Sequence, residues 1–189
     1  MTGSMAIGNG GRGNRLRPFV WGAAGGLLLL PALAMQLFPQ GGVNWTGLDF
    51  LVMGAMLAGA CGLYELGAWL SGNTAYRAGF GLAALAAFLT VWANLAVGML
   101  GSEHDPVNLL FAGVLLVALA GALIAGPQPR GMARAMAATA IAQLLAVGVG
   151  LAMGGFEPRE LALSALFAVP WLLSAALFGK SARDQARAT

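Results

Sequence analysis

The chain has 189 residues, of which 59% are hydrophobic and only 9% charged, and its mean hydropathy is +0.78. Soluble domains carry roughly 25% charged residues, so a chain this poor in charge cannot cover a water-facing surface. Its net charge of +3 comes from residues set beside apolar segments rather than gathered in a basic patch, which excludes nucleic acid as the expected partner.

Residues 1–18 are rich in Gly and Asn, carry Arg12, Arg15 and Arg17, and read as a disordered tail. Gly8-Asn9-Gly10-Gly11-Arg12-Gly13 matches the dinucleotide pattern GxGxxG. It has neither the preceding strand nor the following helix that the fingerprint needs, so chance in a Gly-rich tail accounts for it. The first apolar segment, Phe19 to Phe38, has two readings. A basic start, a Leu-rich run and Ala32-Leu33-Ala34 fit a signal peptide cleaved after Ala34. The apolar run continues through Leu37 and Phe38, however, which is long enough to span, and a retained helix is expected.

Five further spans follow, over about 48–70, 77–101, 107–126, 132–155 and 160–179. Each approaches the about 20 residues that cross the ~30 Å hydrocarbon core of a bilayer. Thr46-Gly47-Leu48-Asp49 predicts a capping box at the second span. Ser71-Gly72-Asn73-Thr74 is the turn into the third. Asp105-Pro106 and Glu157-Pro158 start the fourth and the sixth, with the acid placed to cap and Pro tolerated at the first helical position. Pro170 predicts a kink in the sixth. Leu-Ala-Val-Gly occurs at 95–98 and again at 145–148, which leaves an internal repeat open. The expected fold is an all-α integral membrane protein, a bundle of six transmembrane helices over 19–179 with a tail at 180–189.

Charge sets the expected orientation. With alternating spans, Arg12, Arg15, Arg17, Arg77, Arg130, Arg134, Lys180, Arg183 and Arg187 fall on one side, and only Arg159 falls on the other. That split is a positive-inside signal and predicts both termini in the cytoplasm, N-in and C-in. Trp21 and Trp69 then lie near the inner interface and Trp45 near the outer one, as an aromatic belt requires. The preference for Arg over Lys and the abundance of Ala and Gly associate with GC-rich bacterial genomes, hence a bacterial inner membrane.

Few polar residues fall inside the spans. Glu65 is the foremost, because an ionisable group in a membrane helix is costly. Two roles are open to it: a structural ion pair with Arg77 across the hairpin, with Tyr64 anchoring nearby, or a protonatable group on a conduit shared with Asn94 and Gln143. Thr90, Thr139, Ser164 and Ser174 complete the set, and such residues commonly bind helices together. Cys61 is the sole cysteine, so no intrachain disulfide forms. The outer loops hold Glu103, His104, Asp105, Glu157 and Glu160 without metal-ligand spacing. No nucleophile lies near His104 in sequence, so no metal, cofactor or catalytic residue is expected.

Val91 to Gly98, followed by Gly101-Ser102-Glu103, Asn108-Leu109-Leu110 and Gly131 to Met136, resembles bacterial multi-pass inner-membrane proteins over roughly residues 45–150. The resemblance brings no activity or ligand with it. Short loops and abundant small residues, including Gly22-x-x-x-Gly26, Ala58-x-x-x-Gly62 and Gly150-x-x-x-Gly154, favour a non-enzymatic accessory or scaffolding component. Its expected partners are the lipid bilayer and either other membrane proteins or further copies. A small transporter or proton/cation conduit through Glu65, Gln143 and Asn94 is the alternative.

Overall fold

A computed structural model describes residues 16–188; the Gly-rich pattern, Arg12 and Arg15 lie outside the described residues. Within them the chain is an all-α bundle. Its elements are α1 (Arg17–Leu37), α2 (Gly47–Leu70), α3 (Thr74–Ala96), a short 3-10 turn (Pro106–Asn108), α4 (Leu109–Ala125), α5 (Pro129–Met153), α6 (Pro158–Leu166) and α7 (Ala168–Ala188). With the 3-10 turn joined to α4 and α6 joined to α7, six helices are long and apolar enough to cross a membrane. The basic residues of these helices, Arg159 of α6 excepted, lie at one end, called here the arginine-rich end. Asp49, Glu103, Asp105, Glu157 and Glu160 lie at the other, the acidic end.

Local chemistry explains where the helices begin. Thr46 caps α2 in the predicted box: the Asp49 carboxylate accepts from the Thr46 N–H at 2.7 Å, and Thr46 Oγ1 accepts from the Asp49 N–H at 3.4 Å. Asn73 caps α3, its Oδ1 accepting from the Tyr76 N–H at 3.0 Å. Asp105 and Glu157 stand at the cap positions before their prolines, yet neither side chain makes the expected cap bond. Another acid of that end, Glu160, accepts from the Gly101 N–H at 3.3 Å.

Two stretches depart from the sequence reading. α3 ends at Ala96 rather than Gly101. Gly98 (φ +77°) and Gly101 (φ +66°) turn the chain back in conformations that side-chain-bearing residues rarely adopt. Met99 and Leu100 between them are thereby driven into the core. The last span breaks at Phe167, not at Pro170. Pro170 has no N–H for the Leu166 carbonyl and its ring collides with that carbonyl, so the helix opens one turn earlier. Phe167 N–H bonds back to Ser164 O at 3.3 Å. Beyond the break, α7 runs through the residues expected as a tail, as far as Ala188.

The helices pack in the order α1, α2, α3, α7, α5, α4, and α3 and α4 meet only weakly. Tyr76, Met132, Met136, Trp171 and Phe178 form the core shared by α3, α5 and α7, with Tyr76 edge-on to Phe178 at 5.0 Å. Met99, Leu100, Val107, Phe111 and Val114 fill the acidic end. A small third cluster, Ala24, Leu57 and Cys61, joins α1 to α2.

Candidate functional site

Glu65 stands near the arginine-rich end of α2. Its Oε1 accepts from the Trp21 indole N–H at 2.6 Å and faces Arg17 Nε at 2.8 Å. The sequence reading offered Arg77 as the partner, whereas both of these contacts come from α1. The helical pitch explains the pairing: Arg17 and Trp21 are four residues apart and so share one face of α1. The Arg17 side chain is 66% exposed and that of Glu65 30%. A pair this open contributes at most about 1 kcal/mol, well below the cost of breaking a buried pair. Its effect is positional, holding α1 against α2 where Cys61 lies buried. Tyr64, half-buried beside it, packs on α3 at Gly81, where an added Cβ would come within 3.1 Å of the ring.

A latch of this kind makes a testable statement about Cys61. Glu65→Leu removes both contacts, so α1 is expected to lift more often and the labelling rate of Cys61 by a small membrane-permeant maleimide to rise about fivefold, matching ~1 kcal/mol. Glu65→Gln keeps an acceptor for Trp21 and should fall between the two. An unchanged rate in Glu65→Leu would show that apolar packing alone holds α1.

Gln143 is fully buried on α5. Its Nε2 donates to Ser164 O at 2.9 Å, supplying a partner to a carbonyl at the break between α6 and α7. Asn94 is half-buried, and its Nδ2 donates to Thr90 O of its own helix at 2.8 Å. Thr90 and Thr139 likewise bond back to Ala86 O and Ala135 O, while Ser174 Oγ crosses from α7 to Gly79 O on α3 at 2.8 Å. No hydrogen bond joins any two of Glu65, Asn94 and Gln143. Each is tied to a different element. Gln143 Oε1, Asn94 Oδ1, Tyr76 Oη, Trp171 Nε1 and Ser181 Oγ are buried without a protein partner among the described residues. Gln143→Leu is expected to lower stability by about 1–2 kcal/mol, the scale of an interhelical polar contact in a membrane, as read by denaturation in detergent.

The most extensive polar contact set centres on Asn108, which in the sequence stands out only within the run Asn108-Leu109-Leu110. Asn108 Oδ1 accepts from the Met99 and Leu100 N–H groups at 2.9 and 3.0 Å. Its Nδ2 donates to Leu100 O at 3.1 Å and Ser102 O at 2.7 Å. Ser164 Oγ donates to Met99 O at 2.5 Å. The inward loop 97–101 is thus tied to α4 and α6 through its backbone. An Asn directly after Pro106-Val107 at the head of a long apolar run was the available signal, since helix starts favour Asn for such bonds.

His104 Nδ1 lies 3.3 Å from the neighbouring Glu103 carboxylate, both well exposed. Among the described residues no three His, Cys, Asp or Glu side chains gather in one place. No family model matches the chain, nor does any curated protein or solved structure, so the residues alone speak to function.

Proposed function

We propose that this multi-pass chain sits in a bacterial cytoplasmic membrane with both termini in the cytoplasm. There it serves as a non-enzymatic accessory or scaffolding component that packs laterally against other membrane proteins. The observation that carries the reading is how the intramembrane polar groups are used. Glu65 meets α1, Gln143 meets the break between α6 and α7, and Asn94 bonds its own helix. A conduit needs such groups along one path; here two of them join separate helix pairs as glue and the third bonds within its own helix. α1 adds support, because it packs chiefly on α2 and a side chain built at Gly22 or Gly26 would meet nothing within 4 Å. The orientation rests on the gathering of arginines at one end.

In sealed vesicles under an imposed pH gradient, proton flux is expected to equal that of protein-free vesicles. Flux above that level, lost in Glu65→Gln, would establish the conduit instead. A photo-crosslinking residue at Gly22 in native membranes is expected to give a discrete adduct with a different membrane protein. Adducts between copies alone would make the chain a self-associating unit, and adducts to lipid alone would reject lateral packing.

A further inference from the structure

We propose that the seam between α3 and α4 holds one acyl chain of an anionic phospholipid, whose phosphate lies at the arginine-rich end. The helices α3, α7, α5 and α4 pack in that order around a common core, and the ring fails to close where α3 and α4 barely touch. The opening is a cleft of about 310 Å³. Ala83 and Ala87 stand on one wall, Ala118 and Ala122 on the other, and Met136 and Trp171 at the back.

The shape selects the occupant. A single turn of α-helix, ~5.4 Å long and ~10 Å across with its side chains, already fills more than the about 310 Å³ of the cleft, whereas a length of one hydrocarbon chain fits. Both walls belong to membrane-length apolar helices, so the solvent at the mouth is lipid. An unfilled apolar slot loses the dispersion contacts that its walls could make, which favours a chain that stays over one that exchanges freely. Charge selects the head group. Arg77, Phe80, Ala84 and Ala87 recur at spacings of three and four, hence along one face of α3. The last three line the cleft, and Arg77 heads the row at the arginine-rich end. A guanidinium there matches a lipid phosphate.

Native mass spectrometry of the full chain, extracted in mild detergent from membranes of phosphatidylglycerol and phosphatidylethanolamine, should find one phospholipid per chain. Phosphatidylglycerol should be enriched over its bulk share. Ala118→Phe fills the slot and should lower the retained lipid at least about tenfold, while Leu145→Phe, on an exposed face of α5, should leave it unchanged. Arg77→Gln should keep the chain but lower the preference for phosphatidylglycerol about fivefold. Wild-type retention in Ala118→Phe, or no retained lipid in the wild type, overturns the chain site. An unaltered preference in Arg77→Gln overturns the head-group assignment. Should Ala118→Phe fail to fold, wild-type protein crosslinked with phosphatidylglycerol carrying a mid-chain diazirine decides the question. Adducts concentrated on segments 83–87 and 118–122 support the site, and adducts spread evenly over the exposed helices reject it.

Discussion

Asn108→Ala is expected to be the most damaging single substitution away from the helix interiors, lowering stability by at least about 3 kcal/mol in a detergent denaturation series. One carboxamide satisfies four backbone groups: the N–H of Met99, the N–H and C=O of Leu100, and the C=O of Ser102. Truncation leaves all four without that partner, and each buried unsatisfied group costs about 1–3 kcal/mol, with water at the acidic end recovering part. The loop would then lose its hold on Leu100, which is fully buried, and with it the Met99 carbonyl that Ser164 uses. Asn108→Asp separates the contributions. It retains the acceptor for two N–H groups but brings a carboxylate toward two carbonyls, so it should also destabilise. Limited proteolysis between residues 97 and 105, faster in both variants than in the wild type, would locate the damage. If Asn108→Ala melts like the wild type, the loop is held by Met99 and Leu100 burial alone.

Gly121→Leu is the second. α4 and α5 are joined by a tight turn and approach each other over small residues. A Cβ added at Gly121 would lie 2.8 Å from Ala135 Cβ and 3.3 Å from its Cα. The nearest atoms belong to the backbone and a methyl group of a buried residue, neither of which can rotate aside, so the helices themselves must part. Overpacking of this kind costs about 1–3 kcal/mol, and Leu, larger than a methyl, should fall at the upper end. Gly121→Ala should show the same direction at smaller size. Pairing Gly121→Leu with Ala135→Gly relieves the closest contact and should return part of the loss; no recovery would mean that the helices are not in contact there.

The features that hold the bundle together are unequally legible in the sequence. The Thr46–Asp49 box could be read directly, since it needs only residues three apart on one chain segment. Gly121 could not be distinguished among 29 glycines. Of the glycines in the small-residue pairs, Gly150 is closely approached by the Leu100 side chain, whereas Gly22, Gly26, Gly62 and Gly154 meet nothing within 4 Å; Gly121, outside those pairs, is pressed against α5. The end of α3 was misplaced because Val97, Met99 and Leu100 are as apolar as the helix before them. Hydropathy records burial, and a loop that folds inward is buried too. The break near Pro170 was anticipated in the right region but displaced by one turn, because Pro disturbs the carbonyl four residues before it.

Glu65 draws the same line more sharply. Its presence in an apolar helix marks it in the sequence, and the basic residue nearest to it along the chain is Arg77 in the next helix. Which helix lies against its face depends on how six spans arrange themselves laterally, and the structure sets α1 there, with Arg17 and Trp21. By itself the sequence determined the number of spans, their order and the segregation of charge to the two ends, because membrane length and hydropathy act on each segment independently. The lateral order of the helices, the inward loop held by Asn108 and the open seam between α3 and α4 were decided only in the folded bundle. Those depend on contacts between segments whose apolar surfaces are nearly interchangeable, so that packing shape and a few polar bonds choose among them.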